Sequence, residues 1–173
     1  MQKIYLGLGS NRGDRLAYIE SAIDYISRIE LTSLLRVSAV YETEPWGIRE
    51  QNFFLNCVAE ITTGLDANVL SGKLKDVEKI IGRTNSSKWH EREIDIDLLF
   101  YGDMIVNSNY LIVPHAEIEN RKFVLVPLNE IVPELVHPVS KKKIAELLEG
   151  SKDNLQVNLF GRLDLSRQYP MKS

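Results

Sequence analysis

The segment Arg92-Glu93-Ile94-Asp95-Ile96-Asp97-Leu98-Leu99-Phe100 sets two carboxylates two residues apart. In a strand, alternate side chains share a face, so Asp95 and Asp97 project together with Cα atoms about 6.5 Å apart. Ile94, Ile96, Leu98 and Phe100 then form the opposite, core face. Two like charges side by side repel and call for a cation. Mg²⁺ suits an all-oxygen site, and two such ions bridged by carboxylates clamp a polyphosphate. The alternative is a solvated strand face whose carboxylates pair with Arg or Lys, because structural ion pairs are common.

Pro114-His115 and Asn120-Arg121-Lys122-Phe123 form a second group. With Arg83, Lys88 and Arg92 they can make a basic rim opposite the aspartates, and arginine presents a planar fork matched to phosphate oxygens. Taken singly, each cation also reads as an ordinary surface charge. A third group joins Thr43-Glu44-Pro45-Trp46-Gly47 to Phe53-Phe54-Leu55-Asn56. Phe54 and Asn56 share a strand face. That pairing can stack on a flat heterocycle and read its polar edge with one amide. Equally, Phe54 can be core and Asn56 a satisfied buried amide.

These residues must be positioned by a fold. A chain of 173 residues, 44% hydrophobic and 26% charged, is one ordinary globular domain and not a disordered chain or a coiled-coil rod. No apolar run reaches the ~20 residues that span a bilayer, and the opening residues are too few for a secretory signal. The single cysteine, Cys57, excludes an intramolecular disulfide and a zinc site built on several cysteines. A net charge of −3 lacks the basic excess of a nucleic-acid binder. These features suit a cytoplasmic protein.

Patterning predicts strands at 2–8, 34–42, 53–62 and 94–101. A helix of about 15 residues follows Asp14 as N-cap, with Leu16, Ile19, Ile23 and Ile26 at helical spacing. A second helix starts after Asp66 and closes at Gly82. Residues 43–52 and 83–92 are long loops. Short strands at 104–106 and 111–113 make a hairpin, 123–126 reads as the last core strand, Ser140 caps a short helix, and 151–173 is weakly patterned. The order β-α-β-β-α-β, with an additional hairpin, predicts an α+β fold with a ferredoxin-like antiparallel sheet and flanking helices. Gly7-Leu8-Gly9-Ser10-Asn11-Arg12-Gly13 is not a dinucleotide fingerprint, because Arg12 stands where the third glycine belongs.

Several ordered motifs together resemble the 6-hydroxymethyl-7,8-dihydropterin pyrophosphokinase family. They are Gly7-Leu8-Gly9-Ser10-Asn11, Tyr41-x-Thr43-x-Pro45-x-Gly47, Phe54-Leu55-Asn56, Glu78 with Gly82-Arg83, Trp89 before Arg92-x-x-Asp95-x-Asp97-Leu98-Leu99, Pro114-His115, and Asn120-Arg121-x-Phe123. The resemblance covers residues 1–150, the expected catalytic domain, and leaves 151–173 as an extension packed on it or trailing from it. It implies transfer of pyrophosphate from ATP to the pterin hydroxymethyl group, leaving AMP. It implies two Mg²⁺ ions on Asp95 and Asp97, and catalytic roles for these two with Arg83 and Arg92. The pterin would contact Thr43, Pro45, Trp46, Phe54, Asn56 and Phe123. ATP would contact Glu78, Arg83, Lys88, Trp89, Arg92, Leu98, His115 and Arg121. The expected partners are these two small substrates, with no nucleic acid, no membrane and a monomeric state.

The chain departs from that pattern in places. His90-Glu91 stand where the family carries Gly-Pro, Asn85 replaces a second arginine after Arg83, and Ala116 replaces an aromatic after His115. Two other readings remain at this point: a different Asp-x-Asp metal-dependent transferase acting on nucleotide sugars, and a non-enzymatic ferredoxin-like binding module, for example for RNA. The carboxylates on the candidate face would repel a nucleic-acid backbone.

Overall fold

The computed structural model describes residues 2–45, 51–82 and 91–165. A six-stranded antiparallel sheet carries helices on both faces. The central strand β1 (Gln2–Ser10) pairs with β4 (Phe54–Thr63) on one side and with β5 (Asp95–Tyr101) on the other. Beyond β4 lie β2 (Thr32–Val37) and β3 (Val40–Thr43), and β3 in turn pairs with β8 (Val157–Gly161). Two short strands, β6 (Val106–Asn107) and β7 (Ile112–Val113), form the separate hairpin.

Strand alternation sends Ile4, Leu6 and Leu8 of β1, and Leu55, Cys57, Ala59 and Ile61 of β4, to one face. There they meet α1 (Arg15–Ser27) and α2 (Ala67–Ile81). Helical spacing puts Ile19, Ala22, Ile23 and Ile26 of α1, and Leu70, Leu74 and Val77 of α2, on that core. The Asp14 side chain accepts from the Ala17 N–H at 3.1 Å and starts α1. Gly82, at φ 109°, ends α2 in the left-handed conformation that favours glycine.

The second face is only half covered. Tyr5, Val58, Leu99 and Phe100 pack against Leu125 and Leu128 of α3 (Lys122–Ile131) and against Ile144 and Leu147 of α4 (Ile144–Glu149). The other half of this face, toward Gly9 and Asp95, is left open as a cleft.

Several elements differ from the sequence expectation. The strand expected at 34–42 is two strands, broken where Ser38 exchanges two hydrogen bonds of 2.9 Å with the Val58 backbone, one through its own N–H and one through its side-chain Oγ. A β-bulge follows Leu98: Leu6 faces Leu98 but Tyr5 faces Phe100. Leu99 is therefore the extra residue, and Phe100 turns to the face opposite Ile96 and Leu98. Residues 123–126 are helical. Val124, Leu125, Leu128 and Ile131 follow helical spacing, and the helix runs through Pro127, whose β-branched neighbours resemble a strand in isolation. Lys143 rather than Ser140 precedes the last helix, and its N–H donates to Glu146 Oε2 at 2.8 Å. Val157–Gly161 is a sheet strand; as an edge strand with exposed Leu159 and Phe160 it lacks clear alternation.

Glu130 of α3 ties the far edge of the sheet together. Its carboxylate accepts from the buried Ala39 N–H at 3.0 Å, from the Tyr41 hydroxyl at 2.8 Å and from Arg162 at 2.9 Å. Burial, and then the Glu130 carboxylate, push the Tyr41 hydroxyl up to about 12. Glu130→Ala leaves these donors unpaired and is expected to cost about 1–3 kcal/mol. Hydrogen exchange at 157–161 should rise while β1 stays protected. An unchanged Tm and exchange pattern would show that Glu130 carries no such role.

Candidate active site

The cleft has a volume of about 750 Å³. Its floor is the open end of β1. Gly7 lies between Val58 and Asp97, and Gly9 between Asn56 and Asp95. A Cβ on Gly9 would stand 2.7 Å from Asn56 Oδ1, so any larger residue there must displace the Asn56 amide. The floor thus has no side chain at these two positions, and residues of the flanking strands rise on either side of it.

One half is aromatic and amide-bearing. Phe54 opens β4, and the nearly buried Asn56 follows on the same face. Asn56 Nδ2 donates to Thr43 Oγ1 at 2.7 Å, which fixes the amide and leaves its second N–H to meet a ligand. Across the cleft stands Phe123 at the start of α3, with the Arg121 guanidinium 5.8 Å from its ring centre.

The other half is charged. Asp95 and Asp97 share the cleft face of β5. Burial, and then the Asp95 charge, push the Asp97 carboxyl up to about 6, against the pull of Lys75, Arg121 and Arg92. Arg92 Nη1 binds Asp95 Oδ2 at 2.6 Å. Lys75 reaches the cleft from α2 and lies 3.3 Å from Glu78 Oε2, whose other oxygen accepts from the Ile96 N–H at 2.7 Å. His115 is held below the usual histidine range, by burial first and then by Arg121. Its Nδ1 accepts from the Glu117 N–H at 3.2 Å, which assigns the proton of the neutral ring to Nε2 as a donor.

The structure brings Thr43, Phe54, Asn56, Arg92, Asp95, Asp97, His115, Arg121 and Phe123 to one cleft from distant parts of the chain. Leu98 and Glu78 do not line it. Leu98 sits in the core against the opposite face, and the bulged Leu99 lines the cleft instead. Glu78 is buried behind the strand, where it braces Lys75 and β5. Pro45 is buried just beyond the wall formed by Thr43 and Glu44. Trp46, Arg83, Lys88 and Trp89 lie outside the described residues.

Sequence reasoning missed Lys75 and the floor. The floor had a signal: Gly7 and Gly9 alternate with Leu6 and Leu8, which marks one strand face as bare. Lys75 had none, being one of several lysines on an amphipathic helix.

Asp95 and Asp97 fit a hard cation. Their side chains are neighbouring oxygen donors on one cleft face, with the Asp95 charge acting on Asp97, and among the described residues no group of three or more His, Cys, Asp or Glu forms a metal cage. Two carboxylates with further ligands from phosphate and water is how Mg²⁺ is usually held.

The strained carboxylate has a measurable consequence without metal. The folded chain holds the Asp97 proton more tightly than the unfolded chain, with about 6 against 3.8. Stability from this group therefore falls as pH rises through that window. Asp97→Asn is expected to raise the metal-free Tm at pH 7.5 by a few degrees, at about 2–4 °C per kcal/mol for this size. The gap should close below pH 4. An equal or lower Tm at pH 7.5 would contradict the electrostatic account.

Comparison with known proteins gives the family. Residues 5–133 match the family described as 7,8-dihydro-6-hydroxymethylpterin-pyrophosphokinase. A 2-amino-4-hydroxy-6-hydroxymethyldihydropteridine pyrophosphokinase of Aquifex aeolicus is 44% identical over 84% of this chain and 90% of its own length. The enzyme of the same name from Haemophilus influenzae is 36% identical over 90% of this chain and 96% of its own. A Plasmodium falciparum HPPK-DHPS crystal structure superposes with a TM-score of 0.70 at 16% identity, over 85% of this chain and 45% of that one, which speaks to the fold alone. The chain therefore belongs to the 7,8-dihydro-6-hydroxymethylpterin-pyrophosphokinase family.

Proposed function

We propose that the open half of the sheet is where this chain performs its family's reaction, with the pterin on the Phe54–Asn56 side and the ATP phosphates on the Asp95–Asp97 side. The reaction is pyrophosphate transfer from ATP to 6-hydroxymethyl-7,8-dihydropterin, a step of folate biosynthesis. The observation that carries the placement is the pairing across one glycine-floored cleft of an amide-and-aromatic half with a carboxylate half.

In this reading the pterin ring lies between Phe54 and Phe123, and its polar edge meets the Asn56 amide and the Thr43 hydroxyl. Pro45 follows the Thr43–Glu44 wall in the chain, and Trp46, outside the described residues, is proposed to contact the pterin as the family resemblance implies. Asp95 and Asp97 hold two Mg²⁺ ions, which supply neutralisation of charge on the phosphate oxygens. The pterin hydroxymethyl oxygen bonds to the β-phosphorus and gives up its proton to solvent water. The bond from that phosphorus to the α–β bridging oxygen breaks, and AMP leaves with the electron pair. Arg92 and Arg121 stand at the cleft to meet the transferring and leaving phosphates, joined by Lys75, by Arg83 and Trp89 as the family pattern implies, and by Lys88 in place of the family cation that Asn85 replaces. His115 offers its Nε2 proton to a phosphate oxygen without adding charge. The chain's contribution is positioning and electrostatics, which dominate phosphoryl transfer.

The catalytic residues lie within 1–150, with 151–173 as an extension. The chain acts as a cytoplasmic monomer on these small molecules alone; its acidic balance, which lacks the basic excess of a nucleic-acid binder, supports the exclusion of nucleic acid.

The test is product identity. With ATP, Mg²⁺ and the pterin, the chain should release AMP only when the pterin is present, and Asp97→Ala should lower turnover by at least about 10³-fold while leaving pterin binding intact. Gly9→Ala should do the reverse, displacing the Asn56 amide and weakening pterin binding about tenfold with little effect on ATP binding. ADP as product, or full activity of Asp97→Ala, would overturn the assignment.

A further inference from the structure

Residues 151–161 run outside the cleft and touch both walls between which the pterin is placed. They lie wholly beyond residues 5–133, the span of the family match, and none of them lines the cleft. Half-buried Ser151, Asp153, Leu155 and Val157 alternate with exposed Lys152, Asn154 and Gln156, so one side of the segment rests on the domain. Asp153 makes the contact with the first wall. Its Oδ2 accepts from the Lys122 N–H at 3.0 Å. Lys122 opens α3, and its N–H is one of those that no carbonyl within the helix can reach. Arg121, at the cap position, makes no side-chain cap bond, so Asp153 caps the helix from a distant part of the chain. The carboxylate is itself held in place. Its Oδ1 accepts from the Leu155 N–H at 2.9 Å, and the Asp153 N–H donates to Ser151 Oγ at 3.3 Å. Phe123 is the next residue of α3, so a shift of this first turn shifts its ring in the cleft.

β8 makes the contact with the second wall. Val157 pairs with Thr43, Asn158 with Glu42 and Leu159 with Tyr41. On its other side β3 pairs with β4, where Thr43 faces Phe54 and Tyr41 faces Asn56. Thr43 is thus held between two strands, and its Oγ1 receives the 2.7 Å bond that fixes the Asn56 amide. Without β8, β3 would be the edge of the sheet. Just past β8, Arg162 returns to Glu130 of α3 at 2.9 Å. The segment therefore touches α3, then β3, then α3 again.

We infer that residues 151–161 are a strap that sets the gap between the Phe123 wall and the Thr43–Asn56 wall, with Asp153 as a positioning residue for the pterin, a role that rests on the pterin placement given above. A flat ring between two aromatic side chains is held well only when both stand at contact distance, because dispersion and stacking fall off steeply with separation. The two walls come from different elements, α3 and the β3–β4 pair, which meet the ring from opposite sides. The strap ties one to the other without entering the cleft, and it acts on pterin binding through Phe123 and Thr43.

The experiment is calorimetric titration of 6-hydroxymethyl-7,8-dihydropterin into the full chain with Mg²⁺ and α,β-methylene-ATP, whose carbon bridge replaces the oxygen at the bond that breaks. Asp153→Ala should weaken pterin binding about fivefold. Nucleotide affinity, titrated separately, should change by less than about twofold. Asp153→Asn should keep most of the pterin affinity, since its amide oxygen still accepts from the Lys122 N–H. Ser151→Ala, a milder change that leaves the cap in place but removes its support, should weaken pterin binding about twofold. Glu146→Ala removes the acceptor for the Lys143 N–H at the start of α4 and serves as the control for lost stability; it should lower Tm and leave pterin binding unchanged. Normal pterin affinity in Asp153→Ala, no retention in Asp153→Asn, or an equal loss in Glu146→Ala overturns the inference. Phe123→Ala separates the two levels: if it binds pterin normally, the placement of the pterin has failed, whereas if it loses pterin while Asp153→Ala binds it normally, only the strap has failed.

Discussion

Two carboxylates forced onto one strand face are the constraint around which this molecule is arranged. Asp95 and Asp97 sit on the same side of β5, and burial with mutual repulsion raises the Asp97 carboxyl to about 6. A structure selected for stability alone would place an apolar residue there. What surrounds the pair makes sense as management of that charge. Arg92 binds Asp95 directly, Lys75 and Arg121 act on Asp97 from two other elements, and Glu78 braces both Lys75 and the Ile96 backbone behind the strand. The cations offset the repulsion only in part, which leaves the site prepared for a further positive charge.

The sheet's second constraint is an absence of side chains. Gly7 and Gly9 lie beside Asp97 and Asp95 on one side and beside Val58 and Asn56 on the other. A flat substrate can therefore approach the backbone while its edges meet Asn56 and the carboxylates. α3 and α4 cover the rest of this face, and α3 ends the cover at the point where Phe123 and Arg121 reach into the cleft. Coverage on one half supplies stability. Its omission on the other leaves the cleft open.

Much of this was legible in the sequence, for reasons that differ by element. The Asp95–Asp97 alternation, the Phe54–Asn56 pairing and the Asp14 and Gly82 helix boundaries are local signals, and local chemistry decides them. The ferredoxin-like core followed from the order of those signals. The bulge at Leu99 was not legible, because it depends on the register with Tyr5 across β1, and it moved Phe100 to the other face. Helix α3 was misread as a strand because a short apolar run with β-branched residues has no decisive period, and tertiary packing against Tyr5 and Phe100 settled it. β8 was missed because an edge strand with one neighbour has no fully buried face to pattern. Asn11 stands in the sequence only as the last residue of the Gly7–Asn11 motif, and its grip on Arg92 and Asn52 spans 81 and 41 positions, a separation that single-sequence reading does not reach.

The central claim is that one cleft divides into a pterin half and a metal-phosphate half on either side of a bare strand. A crystal structure of the chain with Mg²⁺, α,β-methylene-ATP and 6-hydroxymethyl-7,8-dihydropterin tests it most directly. The account predicts metal on Asp95 and Asp97, the pterin ring between Phe54 and Phe123 with its edge on Asn56, and the hydroxymethyl oxygen facing the β-phosphate. Metal bound away from these aspartates, or a pterin seated elsewhere on the molecule, would contradict it.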